Sequence, residues 1–232
     1  MKALIGHSGF IGSILKKKYK NCHLYNSKNI SKIKNKIYSE IICAGLPAAK
    51  WKANKFPKKD SANFNKLKRN INFVSCKLFI LISTIDVHKK AETYGVNRMK
   101  LESFIKKKFS NYLIVRLPAV FGKGLKKNIL FDLLNDNQIN KINKKDFFQW
   151  FDVSLLYSEI QKIKKKKISN KIIELYSPPI QNTEILKFFP NVNLQIKNKR
   201  IVKYNFKPKE GYYKNVKFTL NRIKKFIREN DK

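Results

Sequence analysis

Short apolar runs recur along most of the chain, and longer stretches with helical spacing or polar composition separate them. Within a run the positions are apolar throughout and do not alternate, which indicates strands with both faces covered by helices. Six strands are predicted, at residues 2–5, 23–25, 38–44, 77–83, 112–117 and 171–176. This succession of strands and helices predicts an α/β fold with a doubly wound parallel sheet.

The pattern loosens after Gly122. Residues 129–134 and 146–163 are predicted helices, and Pro178, Pro179, Pro190 and Pro208 interrupt the remainder. We therefore predict a sheet domain over residues 1–122 and a smaller, irregular lobe over residues 123–232. Elements at about residues 147–176 are expected to return to the sheet.

Length and composition narrow the class of protein. A chain of 232 residues with 43% hydrophobic residues has enough apolar surface for a core, which excludes a disordered chain. Three cysteines without a CxxC pair encode neither a disulfide framework nor a metal site, and they fit a reducing cytoplasm. We expect no membrane span, because no apolar run approaches about 18 residues, and no signal peptide, because two early glycines interrupt the apolar residues of the segment M-K-A-L-I-G-H-S-G-F-I-G.

The net charge of +37, from 52 basic and 15 acidic residues, raises the question of nucleic-acid binding. Lysine accounts for 46 of the basic residues and arginine for 6. Arginine is the residue that recognises bases and phosphates bidentately, whereas lysine, isoleucine and asparagine share A/T-rich codons. The charge is therefore attributed mainly to base composition, and nucleic-acid binding is kept as a third-ranked alternative.

A glycine-rich segment, G-H-S-G-F-I-G, follows the first strand and opens the first helix. In this position the first glycine permits a tight turn, the second lets the backbone approach a pyrophosphate, and the third allows close helix–strand packing. The context predicts a Rossmann-like dinucleotide site. Its predicted cofactor-binding residues are Gly6, Ser8, Gly9, Phe10, Ile11 and Gly12.

The end of the second predicted strand bears on the choice between NAD and NADP. About 20 residues after the first glycine, where an acidic residue would bind the adenine ribose of NAD, the chain has Asn26, Ser27 and Lys28. Ser27 and Lys28 are suited to a 2′-phosphate, whereas Asn26 is suited to a ribose hydroxyl. NADP is favoured slightly, and NAD stays open.

The glycine segment, Ala44-Gly45, Ser83-Thr84 and the downstream Tyr94 together resemble the extended short-chain dehydrogenase/reductase superfamily, in particular its NAD-dependent epimerase/dehydratase branch. The resemblance covers about residues 1–125, with weaker echoes at 147–155 and 174–186. It implies an NAD(P)-dependent oxidoreductase or epimerase acting on a hydroxyl or keto carbon of a nucleotide-activated sugar, in cell-surface polysaccharide synthesis. It also places Ala44 and Gly45 beside the cofactor and leaves a homodimer open.

The resemblance assigns catalytic roles to Thr84, Tyr94 and Arg98. Thr84, with Val87 three residues on, matches the Ser/Thr that hydrogen-bonds the reacting oxygen, and Tyr94 matches the general acid/base. The family has lysine four residues after the tyrosine, where this chain has Arg98. Arginine keeps the charge in a different shape, so catalysis is less firmly implied than cofactor binding.

Five further residues complete the predicted site. Asp86 lies near the position of acidic catalytic residues in sugar dehydratases, with a turn or cap role as the alternative. Pro118 follows the fifth strand, where the family passes the nicotinamide. Lys126, Lys127 and Asn128 are candidate contacts for the diphosphate of a nucleotide-sugar. A dinucleotide-binding protein with impaired catalysis is the second-ranked alternative.

Overall fold

The structure is a computed structural model that describes residues 1–89, 91–167, 169–192 and 201–230. The chain divides into two compact units. The first contains Met1–Arg116 and Leu156–Ile173, and the second contains Leu117–Leu155 and Glu174–Lys232.

Short strands and helices alternate along the described residues. The strands are β1 Lys2–Ile5, β2 Cys22–Tyr25, β3 Ile37–Tyr38, β4 Glu40–Cys43, β5 Ser75–Cys76, β6 Phe79–Thr84, β7 Tyr112–Leu117, β8 Ala119–Phe121, β9 Phe147–Phe148, β10 Trp150–Asp152, β11 Lys171–Glu174 and β12 Ile180–Gln181. The α-helices are α1 Phe10–Lys18, α2 Lys50–Lys55, α3 Pro57–Ile71, α4 Thr93–Lys108, α5 Ile129–Leu134, α6 Leu156–Lys165, α7 Asn182–Leu186 and α8 Val216–Arg228. Short 3₁₀ helices span Ile30–Ile33, Ile85–His88, Ile139–Lys141 and Val153–Leu155.

The main sheet is six-stranded and parallel, with the order β11-β7-β6-β4-β1-β2. Its strands correspond to the six predicted from the apolar runs, so the predicted Rossmann-like α/β fold is confirmed. From β1 the chain moves to β2 on one side and then to β4 on the other, so the strand order reverses between β1 and β4. In open α/β sheets, ligands bind outside the carboxyl ends of the strands at such a reversal.

Apolar faces on both sides of the strands explain why helices cover this sheet. Ile41, Phe79 and Ile114 are fully buried, and Leu67 of α3 and Leu101 of α4 belong to the same core cluster. Since burial of apolar surface is the main favourable contribution to folding, the covered strands hold the loops at their carboxyl ends in place.

The second unit contains two small two-stranded sheets. Strands β8 and β10 pair in parallel, and β9 and β12 pair antiparallel. Trp150 is 1% exposed and makes an edge contact with Phe121. Helix α8 contributes Ile223 and Phe226 to the same apolar cluster.

The helix predicted over residues 146–163 is wrong in its first half. Residues Phe147–Phe148 and Trp150–Asp152 are strands, and α6 begins only at Leu156. Tertiary contacts decide this segment, because the side chain of Gln149 donates to the carbonyls of Ser177 and Phe206 and holds it extended. The local spacing of apolar residues carried no sign of those distant partners.

The helices and the cysteines bear on two expectations from the sequence, the absence of a membrane span and the absence of a disulfide framework. Within the described ranges, no helix combines the length and the apolar character that a bilayer span requires. Cys22, Cys43 and Cys76 are free thiols. Burial raises the pKa of the Cys43 thiol to about 12, so this side chain is an inert core residue at neutral pH.

Candidate functional site

The glycine segment lies at the reversal of strand order. Gly6 has φ of +85°, and a Cβ there would lie 2.2 Å from the carbonyl oxygen of Ala44, the residue after β4. A Cβ on Gly12 would lie 1.9 Å from the carbonyl oxygen of Gly6. Only glycine fits at these two positions, because both close approaches are to backbone atoms.

Helix α1 begins beside this turn, and the backbone N–H groups of its first turn point toward the amino end of the helix. Gly9 is the N-cap, and the first turn consists of the uncharged residues Phe-Ile-Gly-Ser. Ser8 and Gly9 are exposed, and Phe10 and Ile11 are half-buried. A helix start with free N–H groups and the positive end of the helix dipole is suited to an anion such as a pyrophosphate.

The end of β2 lies next to the glycine turn, since the Gly6 amide donates to the Tyr25 carbonyl at 2.7 Å. The side-chain oxygen of Asn26 accepts from the Lys28 amide at 2.9 Å, and its nitrogen lies 3.3 Å from His7 Nε2. Lys66 of α3 donates to the Ser27 carbonyl at 2.9 Å. The three residues predicted to bind the adenosine ribose therefore lie in a polar corner with a second lysine that the sequence analysis missed.

Thr84 ends β6 and caps the 3₁₀ helix that follows. Its hydroxyl oxygen accepts from the Asp86 amide at 3.2 Å, and its hydroxyl donates to Asp86 Oδ2 at 3.1 Å. Asp86 is 8% exposed. Thr84 is therefore the cap, and Asp86 supplies the amide that is capped and a carboxylate in direct contact with the predicted catalytic threonine.

Tyr94 lies in the first turn of α4, which packs closely against the 3₁₀ helix containing Asp86. A Cβ on the neighbouring Gly95 would lie 2.1 Å from the Asp86 carbonyl oxygen, so glycine is needed for this approach. The main chain of Tyr94 is fixed by Asn54 of α2, whose side-chain oxygen accepts from the Tyr94 amide at 3.0 Å. The contact between α4 and the 3₁₀ helix brings the predicted residues Thr84, Asp86 and Tyr94 into one region.

Arg98 lies over the face of Tyr94, with its guanidinium carbon 3.9 Å from the ring centroid. Its side chain is 6% exposed, and it donates to Asp60 Oδ2 of α3 at 2.5 Å and to the Pro47 carbonyl at 2.5 Å. Asn97 also donates to Asp60 Oδ2, at 2.8 Å. The arginine is therefore adjacent to the tyrosine as its spacing predicts, but its hydrogen bonds go to protein groups.

The charges around Tyr94 act in opposite directions on the phenol. Burial raises the pKa of Tyr94, and the positive charge of Arg98 opposes that rise. The negative charge of Asp86 raises the same pKa further, and Lys50 opposes it. The pKa of Tyr94 is raised as the result, so the phenol holds its proton at neutral pH.

Lys50, at the start of α2, links the elements around Tyr94. Its Nζ lies 2.7 Å from Asp86 Oδ1 and 2.7 Å from Glu92 Oε2. Asn54, one turn along the same helix, donates to Glu92 Oε2 at 3.0 Å. Burial alone would raise the pKa of Glu92, but the bonds from Lys50 and Asn54 outweigh it and lower that pKa.

A second buried cluster holds the residue before Thr84. Ser83 donates to Glu102 Oε1 of α4 at 2.6 Å, and Arg116 of β7 contacts both oxygens of the same carboxylate at 3.0 and 2.7 Å. Glu102 is 1% exposed. The cluster connects β6, α4 and β7, and so fixes the end of β6 relative to the helix that contains Tyr94.

The four remaining predicted residues belong to the second unit. The side-chain oxygen of Asn128 caps α5 by accepting from the amides of Leu130 and Phe131, and its nitrogen donates to the Val120 carbonyl. Lys126 and Lys127 are exposed, and Pro118 is half-buried. Substrate or cofactor contacts of these four residues stay predictions.

No family model and no curated protein sequence matches the chain. Solved structures do match it, among them structures titled as a UDP-glucose 4-epimerase, a dTDP-4-dehydrorhamnose reductase and a dTDP-glucose 4,6-dehydratase.

Three structures illustrate the likeness. A UDP-glucose 4-epimerase with UDP-glucose from Thermotoga maritima has a TM-score of 0.73 and 14% identity, covering 99% of each chain. A dTDP-4-dehydrorhamnose reductase from Clostridium acetobutylicum has a TM-score of 0.65 and 16% identity, covering 99% of this chain and 98% of the other. A dTDP-glucose 4,6-dehydratase from Streptomyces venezuelae with NAD and TYD bound has a TM-score of 0.70 and 12% identity, again covering 99% and 98%. This chain therefore has the fold of these proteins, as the resemblance implied.

Proposed function

We propose that this protein is an NAD(P)-dependent enzyme of the extended short-chain dehydrogenase/reductase type that acts on a hydroxyl or keto carbon of a nucleotide-activated sugar. The observation that carries the proposal is the close approach of Gly6 to the Ala44 carbonyl where the strand order reverses. Thr84 ends β6, the strand beside β4, and Tyr94 lies in the first turn of α4. The titles of the similar structures support the class of substrate. A cytoplasmic role in cell-surface polysaccharide synthesis belongs to the same proposal.

The described residues fit a dinucleotide. Side chains at Gly6 and Gly12 would collide with backbone atoms, so this turn carries no side chain at these two positions. Gly9 is exposed and leaves the start of α1 accessible to a pyrophosphate. Ala44 and Gly45 flank the same turn. When bound, the nicotinamide would supply hydride chemistry. We favour NADP over NAD because Lys28 and Lys66 add positive charge near Ser27, where a 2′-phosphate would lie.

Tyr94 is suited to donating a proton in this enzyme. Because its pKa is raised, the phenol is protonated at neutral pH and can give a proton to the oxygen of a keto group as that oxygen gains negative charge. Arg98 over the ring would then stabilise the phenolate that forms. The Thr84 hydroxyl donates its proton to Asp86, so its oxygen would accept a hydrogen bond from the hydroxyl form of the substrate.

The first experiment is a titration with NADH and NADPH, followed by quenching of tryptophan fluorescence. We expect Gly9→Ala to weaken binding about tenfold, because its methyl group would occupy the space over which the pyrophosphate lies. A Cβ there meets the Gly6 carbonyl oxygen at 3.4 Å, so the fold tolerates the change. Ser13→Ala, on an exposed position of the same helix, is the matched control. Equal affinities for the wild type and Gly9→Ala would argue against this site.

A second candidate is a dinucleotide-binding protein without turnover. The observation that favours it is the engagement of Arg98 with Asp60 and the Pro47 carbonyl, which leaves the guanidinium with fewer donors for a ribose. Reduction of dTDP-4-dehydrorhamnose by NADPH and epimerisation of UDP-glucose with NAD are the probe reactions. Tight dinucleotide binding without either reaction would favour this second candidate.

A further inference from the structure

Arg98 is held by a counter-charge that limits its influence on the proposed active site. Its ion pair with Asp60 is buried on both sides, since the two side chains are 6% and 4% exposed. The negative charge of Asp60 raises the pKa of Tyr94 and so opposes the effect of Arg98. Control of charge at Tyr94 is therefore shared with other groups.

Lys50 is a second cation whose charge acts on Tyr94. It reaches this region from a different element, the first residue of α2, and its side chain is 29% exposed. Its two carboxylate contacts, to Asp86 and Glu92, are both 2.7 Å. An ammonium with two carboxylates at this distance is held in position and is nevertheless accessible to solvent.

Asp86 transmits the position of Lys50 to Thr84. One carboxylate oxygen contacts the Lys50 ammonium, and the other accepts the Thr84 hydroxyl at 3.1 Å. The same hydroxyl oxygen accepts from the Asp86 amide. The orientation of the Thr84 hydroxyl therefore depends on a carboxylate that Lys50 fixes.

Two further charged side chains, Lys89 and Glu92, lie between the 3₁₀ helix Ile85–His88 and the start of α4. Lys89 lies 4.0 Å from Glu92 Oε1, and burial together with the charge of Lys50 lowers the pKa of Lys89. Two lysines thus face two carboxylates, Asp86 and Glu92, beside the Arg98–Asp60 pair. Removal of Lys50 would leave one lysine facing the two carboxylates, and so a net negative charge beside Thr84 and Tyr94.

We propose that Lys50 is a positioning residue of the proposed active site, which orients the Thr84 hydroxyl through Asp86 and neutralises the negative charge beside Tyr94. This inference rests on the proposed function and names a residue that the Tyr94–Arg98 spacing does not indicate. Lys50 acts through Asp86 and Glu92, and its charge offsets theirs when Tyr94 gives up its proton.

The first test needs no substrate. Hydrogen exchange of the Asp86 amide, followed by NMR, reports on the Thr84 hydroxyl oxygen that accepts from this amide. Lys50→Met is expected to speed that exchange about tenfold, because a Thr84 hydroxyl that is no longer held by a fixed carboxylate loses a hydrogen bond worth about 1 kcal/mol. Lys50→Arg keeps the charge and should stay near the wild type.

Lys52→Met is the matched control, since Lys52 lies on the same helix with its ammonium over the Trp51 ring. We expect it to leave the hydrogen exchange of the Asp86 amide unchanged. Lys50→Gln is a second variant that preserves polarity, in case the methionine variant does not fold. An unchanged exchange rate of the Asp86 amide in the folded Lys50 variant overturns the inference.

The second test measures turnover of dTDP-4-dehydrorhamnose with NADPH and of UDP-glucose with NAD. Lys50→Met is expected to lower kcat about ten- to hundredfold with little change in KM, because misplaced catalytic groups act on the reaction step. Lys50→Arg should recover most of the loss. Equal kcat in the wild type and Lys50→Met overturns the inference and leaves the proposed function in place.

Failure of the proposed function has a different signature. A wild-type protein that binds neither NADH nor NADPH removes that function, and the catalytic part of the inference falls with it. A wild type that binds dinucleotide but converts neither probe favours the second candidate function. Hydrogen exchange of the Asp86 amide then decides by itself whether Lys50 orients the Thr84 hydroxyl at this site.

Discussion

Replacement of Arg98 by methionine removes a guanidinium from a buried ion pair and keeps an unbranched apolar side chain. The lost contacts are those to Asp60 at 2.5 Å, to the Pro47 carbonyl at 2.5 Å and to the Tyr94 carbonyl at 3.2 Å. Asp60 is left as a carboxylate that is 4% exposed, with Asn97 still donating to it.

The size of the effect follows from that uncompensated charge. Removal of one partner of a buried ion pair destabilises proteins by about 3–5 kcal/mol, mainly because the other charge is left buried. The remaining Asn97 hydrogen bond places Arg98→Met at the lower end, about 3 kcal/mol. For a chain of this length, 1 kcal/mol corresponds to about 2–4 °C in Tm, so a decrease of about 6–12 °C is expected.

Thermal unfolding followed by circular dichroism measures the change. The control is Arg69→Met on the exposed face of α3, for which we expect a change within about 0.5 kcal/mol. A decrease in Tm for Arg98→Met no larger than that for Arg69→Met would refute the reasoning, because the Arg98–Asp60 contact would then be unimportant for folding.

The double variant Arg98→Met, Asp60→Leu separates charge from packing. Asp60→Leu by itself leaves a buried guanidinium and should also destabilise the protein. Together the two substitutions remove both charges, and replacement of a buried pair by apolar residues is often neutral or stabilising. We expect the double variant to be more stable than either single variant, with a coupling energy of about 2 kcal/mol or more.

Two further predictions concern Tyr94 and Lys66. Because the folded protein raises the pKa of Tyr94, the stability associated with the protonated phenol is complete below the unfolded pKa of about 10 and is lost as the pH rises through the folded pKa. Urea unfolding should therefore show that the wild type loses stability above about pH 10 more steeply than Tyr94→Phe, and parallel curves would contradict this. Lys66→Met should weaken NADPH binding about two- to fivefold without changing NADH binding, whereas Lys68→Met on the same helix should change neither, as fluorescence titration can determine. Equal effects on the two cofactors would exclude a 2′-phosphate contact.

The parts of the fold that could be predicted are those encoded over short distances. The six sheet strands lie in short apolar runs of the sequence. The glycine segment that links β1 to the first turn of α1 occupies seven adjacent residues, 6–12. The grouping of Thr84, Asp86 and Tyr94 could also be predicted, because the three residues lie within one short segment from the end of β6 to the first turn of α4. Steric exclusion at Gly6 and Gly12 explains why the glycine pattern was informative.

The unpredicted parts depend on partners far apart in the chain. Lys50 contacts Asp86 across 36 residues, and Arg98 contacts Asp60 across 38. In a chain with 46 lysines, no local signal distinguishes Lys50 from its neighbours. The strands within residues 147–152 were missed for the same reason, since their pairing partners lie in other segments.

The replacement of lysine by arginine four residues after Tyr94 changes more than one side chain. A guanidinium buried over the phenol ring requires a counter-charge, and Asp60 on α3 provides it. That carboxylate opposes the effect of Arg98 on the Tyr94 pKa, as does Asp86. A site with two carboxylates around the phenol gains from a second cation, and Lys50 lies where its charge offsets Asp86 directly. The Arg98–Asp60 pair anchors α4 to α3, whereas the Lys50–Asp86 pair anchors Thr84 to α2. The contribution of each pair can therefore be measured separately.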